Sequence, residues 1–258
     1  MRWGSGVAGA VGWTIAAAAL AAADEIQVYV DDINKPGERG LETHVNYVPI
    51  GRKNAEYSGE RPPYRVLRIT PEISTGLAPG WDAGIYLPGA ISGISGSTFF
   101  DGPKLRLKHL RFAEHALGTV FYGVNLELSY NSPRISPARW GSELRFIAGI
   151  DTEHWLFAIN PIFARDLSTP IDGAKTTEFN LSLKAARKLS DGVALGFEHF
   201  AESGDIRHSR FGATSSETTY LVLDLERKGW DLNFGIGRGW TAGTSDKLTL
   251  KMILAFPL

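Results

Sequence analysis

The 258-residue chain contains no cysteine. That absence excludes disulfide staples, thiolate metal sites and cysteine nucleophiles together. Charge of one sign is lacking too: 27 Lys and Arg stand against 28 Asp and Glu, a formal net charge of -1. Such a balance offers no basic excess for gripping nucleic acid, so no nucleic-acid partner is expected. Beyond residue 23, no stretch approaches the roughly 18 apolar residues that a transmembrane helix needs. A bilayer would have to be crossed by strands instead.

What is present begins with a segment unlike the rest. Arg2 precedes the Ala- and Gly-rich apolar run Val7–Leu20, and Ala21-Ala22-Ala23 then leads into Asp24-Glu25. This shape reads as a secretory signal peptide over residues 1–23, with the mature chain starting near Asp24. The run is short for a span and poor in Leu, Ile and Phe. An exported chain without a spanning helix is either soluble or a barrel.

From about residue 41 onward the connections alternate in length. Tight linkers are Gly76–Gly80, Ala113–Gly118, Asp151–Glu153, Lys188–Gly192 and Arg227–Gly229. Longer polar ones are Gly51–Pro63, Gly89–Pro103, Asn131–Trp140, Ala164–Lys175 and Ala201–Ser216. The segments between them alternate apolar and polar residues. In Thr119–Tyr130, for example, Val120, Tyr122, Val124, Leu126, Leu128 and Tyr130 share one face; Gly123, Asn125, Glu127 and Ser129 share the other. A helical period would scatter these residues around a cylinder, so they read as strands. Short turns at one rim and long loops at the other predict an all-β, closed antiparallel transmembrane β-barrel of about twelve strands over residues 41–258. Even parity puts both termini at one rim, expected to be periplasmic. Residues 24–40 form a lead-in that packs into or under the lumen.

Tryptophan placement agrees. Trp81, Trp155 and Trp230 each follow a short turn, while Tyr64, Tyr130, Trp140 and Trp240 lie at the far rim. Aromatic girdles at two interfaces suit a membrane barrel. The soluble rival, a lipocalin-like barrel, needs an apolar lumen and a polar exterior.

By alternation the interior is ionic. It carries Glu42, His44, Arg68, Glu72, Asp82, Lys104, Arg106, Lys108, Glu127, Glu143, Arg145, Glu178, Lys184, Glu198, Asp224, Glu226 and Asp231. Facing lipid, each Arg or Lys would cost about 2–4 kcal/mol near the midplane. Two readings follow. The charges neutralise one another and fill the lumen, or they line a polar pore whose basic stripe, Lys104, Arg106 and Lys108, attracts anions. Barrels of about eight strands are filled by side chains and those of about 16–18 hold wide channels, so a narrow or largely occluded lumen is expected.

Candidate chemistry is sparse. His199 stands at the outer end of a strand, facing lipid by alternation, with Glu202 and Ser203 just beyond. The arrangement is similar to that of membrane-embedded lipid A deacylases, whose His and Ser share an outward strand face two residues apart. Here Ala201 occupies the expected Ser position. His199, Ser203 and Glu202 therefore support only the alternative reading of a lipid-modifying hydrolase. The outer-membrane phospholipase pattern is also absent, and His208-Ser209 are merely adjacent in a loop. Asp31, Asp32 and Asn34 cluster oxygens before Pro36-Gly37, but without the glycine and terminal Glu of the known calcium loop. Neither a metal nor a cofactor is implied.

Several phrases carry a resemblance. They are Glu25–Asn34 with Pro36-Gly37, then Glu42-Thr43-His44-Val45-Asn46-Tyr47, Gly102–Lys108 and Asn233–Gly239. Together they resemble a family of uncharacterised proteobacterial outer-membrane barrel proteins, with a more distant likeness to barrels encoded beside aromatic-compound degradation pathways. The resemblance implies fold and location, and it assigns no catalytic residue. The terminal strand, with Leu248, Leu250, Met252, Leu254, Phe256 and Leu258 on one face, resembles the signal read by the barrel assembly machinery, although Leu258 replaces the usual final Phe. Expected partners are that machinery, outer-membrane lipids and lipopolysaccharide.

Overall fold

A period-2 sequence with one apolar and one polar face can enclose the polar one by closing on itself. The chain does so in the computed structural model, which describes residues 25–207 and 216–258. The signal-peptide reading and the His208-Ser209 pair lie outside the described residues. The strands are β1 (Arg39–Ile50), β2 (Val66–Ala78), β3 (Trp81–Tyr86), β4 (Gly89–Ser92), β5 (Thr98–Phe100), β6 (Lys104–His115) and β7 (Gly118–Tyr130). They continue as β8 (Trp140–Thr152), β9 (Trp155–Asp166), β10 (Thr177–Ser190), β11 (Val193–Asp205), β12 (Ser216–Arg227), β13 (Trp230–Gly239) and β14 (Leu248–Pro257). Each pairs antiparallel with its neighbours. β1 meets β14 from Gly40 opposite Pro257 to Ile50 opposite Leu248, which closes the sheet. Closure leaves no edge strand to template aggregation.

The 14 segments make twelve staves. β3 and β4 lie end to end along β2, with Tyr86 opposite Glu72 and Gly89 opposite Ile69. Leu87-Pro88 interrupts them because proline has no N–H for the ladder. β5 and β6 likewise form one stave, broken at residues 101–103. This corrects the expectation that Gly89–Pro103 is simply a loop. The wall's alternation runs on through it, with Ala90 and Ser92 buried and Ile91 exposed.

The faces are sorted as a bilayer requires. Leu105, Leu126, Phe146, Ile159, Phe197 and Ile236 are exposed on the outside, while Arg106, Asn125, Glu127, Arg145, Asn160 and Glu198 are buried inside. Trp81, Trp155 and Trp230 are exposed just after short turns; Tyr130, Trp140 and Trp240 ring the opposite rim. Trp81 stacks on His109 at 4.3 Å, and Tyr130 meets Trp140 edge-on at 4.9 Å. The amide of Leu258 donates to Arg39 O at 2.9 Å, so the first strand starts where the last one ends. On the inner face glycine makes room. A methyl group at Gly237 would lie 2.2 Å from the Tyr220 ring.

Candidate functional site: the lumen and its mouth

A barrel interior of this width needs filling, and the N-terminal lead-in fills it. Ile26, Val28 and Tyr29 are buried inside the sheet. Val28 and Tyr29 pack with Leu110, Phe121 and Ile147, inward residues of β6, β7 and β8, and Val30 and Ile33 extend this core. The segment has no strand partner, so its backbone is satisfied by side chains. Tyr29 N donates to Asn160 Oδ1 at 2.7 Å, and Asn160 Nδ2 returns a bond to Tyr29 O at 3.0 Å. Arg145 donates to Gln27 O at 2.9 Å and Lys251 to Ile26 O at 3.0 Å. Where the segment leaves the lumen it crosses β2, with Pro36 bridged to Gly76. A methyl group at Gly76 would sit 2.0 Å from Lys35 O, so the crossing requires glycine.

The ionic residues close into circuits around this plug. Lys104 reaches Glu25 at 3.0 Å and Glu127 at 3.3 Å. Arg106 holds Glu72 at 2.6 Å and Asp82 at 2.9 Å, and Lys108 pairs with Asp32 at 3.0 Å. The basic stripe is thus engaged by carboxylates from both wall and plug. Across the lumen, Lys184 lies 3.2 Å from Glu198 and 2.9 Å from Asp224, and Lys251 also bonds Glu198. Arg145 pairs with Glu143 at 2.9 Å and Arg68 with Asp101 at 2.8 Å. His44 is fully buried, its Nε2 3.9 Å from Glu42 and 4.0 Å from Glu72. These three form the only cluster among the described residues with metal-ligand spacing. Glu72 is already bound by Arg106, which argues for ion pairing there rather than a metal.

Glu42, His44, Arg68, Glu72, Lys104, Arg106, Lys108, Glu127, Glu143, Arg145, Glu178, Lys184 and Asp224 all line the interior. Glu226 and Asp231 are a qualification: they face each other across the last short turn and stand exposed at the rim. Missing from the sequence-derived set were Lys251, Asn160 and Tyr86. The parity of β14 does put Lys251 opposite its oily face, so that signal was available.

Above the plug, at the long-loop rim, the lumen opens into two cavities that share Glu25, Phe200 and Glu202. The larger is about 200 Å³. The loops fold over this mouth. Arg52 clasps Glu60 at 2.5 Å and Glu56 at 3.1 Å, and its amide donates to Asp246 at 3.0 Å. Ser58 N reaches Asp172 at 2.9 Å. Burial raises the Asp246 carboxyl above the usual range, and Arg52 draws it back only in part.

The hydrolase candidates do not assemble. His199 faces outward and its Nδ1 lies 2.9 Å from the Thr219 hydroxyl, which also accepts from Trp240 Nε1 at 2.9 Å. Glu202 points the other way, into the mouth. The Ser203 hydroxyl donates to Phe179 O, and four residues along a strand separate it from His199 by about 13 Å. A nucleophile and its base need hydrogen-bond contact.

Comparison with known proteins adds the fold. No protein-family model and no curated protein matches the sequence. Solved structures do. The COG4313 outer membrane channel from Pseudomonas putida F1 aligns with a TM-score of 0.62 at 11% identity, covering 91% of this chain and 100% of that one. The fold is that of outer-membrane channels. The NanC porin gives a TM-score of 0.57 at 12% identity, over 84% of this chain and 100% of its own. The KdgM porin in complex with disordered oligogalacturonate gives 0.53 at 10% identity, over 84% and 98%. At these identities the likeness is one of architecture.

Proposed function

We propose that the chain is a bacterial outer-membrane barrel acting as a narrow, passive pore for small polar solutes, without catalysis or cofactor. The observation that carries this reading is the sorting of faces: an apolar belt between aromatic rims encloses an ionic lumen with an open mouth. Burying that belt in water would be strongly unfavourable, and lipid is the solvent that accepts it. The long loops then face outward and both termini lie in the periplasm. Export through the residue 1–23 signal, insertion by the barrel assembly machinery and contact with lipopolysaccharide belong to the same reading, as does membership of the uncharacterised proteobacterial barrel family.

The plug sets the size of the pore. Conduction passes around or past Glu25–Asn34, so conductance steps in planar bilayers should be discrete and small. A silent bilayer under all voltages would leave a structural barrel as the remaining role. A second reading, anion preference, draws on the oligogalacturonate held by the KdgM porin, against the carboxylates that already hold Lys104, Arg106 and Lys108. The reversal potential across a potassium chloride gradient tests it, since a shift toward the chloride potential supports anions. A hydrolase using His199 would release acyl chains from phospholipid or lipopolysaccharide, detectable by mass analysis; none is expected.

A further inference from the structure

Two carboxylates at the mouth stand apart from every circuit described above. Glu178, 8% exposed, lies near the outer end of β10, and Glu202 projects into the same cavity from the adjacent β11. Neither has an ion-pair or hydrogen-bond partner among the described residues. Their electrostatic neighbours are acids: Glu202, Asp166 and Asp205 around Glu178, and Asp246 and Glu56 around Glu202. Removing unpaired carboxylates from water is costly, and a wall that carries two in one pocket calls for a counter-charge from outside.

A third group points to the same ligand. Asn180, the register partner of Glu202, is 6% exposed and lines the cavity, and its Oδ1 has no hydrogen-bond partner. That oxygen is an acceptor awaiting a donor. The cations bordering the cavity supply none, because each is already held. Lys104 is taken by Glu25 and Glu127, Arg145 by Glu143, and Arg165 bonds the Thr177 hydroxyl. Five carboxylates face these three cations around the cavity, so an excess of negative charge remains.

We propose that this pocket binds the ammonium group of a small organic cation, Glu178 and Glu202 supplying the charge and Asn180 Oδ1 accepting an N–H. Ile135, Pro137 and Ile162 offer apolar wall to an aliphatic body. A bare metal ion fits less well. Calcium takes about 6–8 oxygens at short range, whereas among the described residues the one group with metal-ligand spacing, Glu42, His44 and Glu72, lies outside this pocket. The proposal rests on the pore reading for its purpose, since it names the class of solute concentrated at the entrance. Binding itself does not require conduction.

The test uses the full mature chain in detergent micelles and isothermal titration with putrescine, with succinate as the charge-inverted probe. Putrescine should bind and succinate should not. Glu178→Gln with Glu202→Gln should weaken putrescine about ten- to hundredfold, and Asn180→Ala by about tenfold or less. Heat-modifiable gel mobility checks that each variant is folded, and the putrescine–succinate contrast in the unaltered protein stands without any variant. Absence of binding, unchanged affinity in the double variant, or a preference for succinate overturns the proposal. Bilayer recordings separate the two claims. A conducting channel that ignores putrescine sinks only the pocket, whereas a silent barrel that binds putrescine sinks only the pore.

Discussion

The plugged section of the lumen and its mouth are built from the same residue types and treat charge in opposite ways. Around the plug, every lysine and arginine is closed onto carboxylates: Arg106 onto Glu72 and Asp82, Lys108 onto Asp32, Lys184 and Lys251 onto Glu198. At the mouth, Glu178 and Glu202 meet no cation, and Asp246 accepts a hydrogen bond from the Arg52 backbone amide rather than from its guanidinium. Charges that hold the wall together are satisfied internally. Charges that face an incoming solute are left open, as recognition requires. Breaking a closed circuit should therefore damage the fold, while neutralising an open charge should damage binding alone.

The largest effect is expected at Arg106. Arg106→Met takes the nearest cation from Glu72 and Asp82, both about 98–99% buried, leaving Asp82 only Lys108 at 3.8 Å and Glu72 only His44 at 4.0 Å. Breaking a buried pair from one side costs about 3–5 kcal/mol. Urea unfolding in lipid, followed by tryptophan fluorescence, should show that loss; a shift below about 1 kcal/mol would mean the circuits contribute little.

Removing the plug comes next. Deleting residues 25–36 strips three buried side chains, Ile26, Val28 and Tyr29, each contributing about 1.5–3 kcal/mol by burial. It also takes Glu25 from Lys104, Asp32 from Lys108 and the Gln27 and Ile26 carbonyls from Arg145 and Lys251, leaving these cations to their wall carboxylates and to water. Single-channel conductance should rise severalfold, with the reversal potential moving toward chloride because the deletion takes away Glu25, Asp31 and Asp32 against the single cation Lys35. Unchanged conductance would show that solutes never used the plugged path.

A gentler version acts at the crossing. In Gly76→Val a side chain meets Lys35 O at a Cβ distance of 2.0 Å, so the plug's exit must shift. Overpacking of this kind costs about 1–3 kcal/mol. Conductance should fall between those of the intact and deleted proteins, with the outer wall unchanged in circular dichroism.

The wall was legible in the sequence because strand alternation is local: six or seven residues decide which face is inward. That is why Thr177, Phe179, Leu181 and Leu183 could be separated from Glu178, Asn180, Ser182 and Lys184 before any fold was known. The plug was not legible in the same way. Ile26, Val28 and Val30 alternate like a strand, yet the segment pairs with none, and Tyr29 is fixed by Asn160, 131 positions away. Nothing local to either residue announces the other. The mouth was legible only by half. Parity put Glu178 inside, but its lack of a partner is a fact about neighbouring strands and folded loops. In the sequence Glu202 reads as a companion of His199, and the fold turns it away from that residue toward the cavity.

The smallest expected effect sharpens the comparison most. Glu178→Gln and Glu202→Gln each remove a charge that has no partner to lose, while keeping shape and acceptor oxygen. Stability should stay within about 0.5 kcal/mol or rise, because an amide is cheaper to bury than an unpaired carboxylate. The same urea titration used for Arg106→Met reads both outcomes on one scale. A loss of several kcal/mol at Glu178 would mean that this carboxylate belongs to a structural circuit. The mouth would then be built like the plugged section, and the division between holding charges and receiving charges would fail.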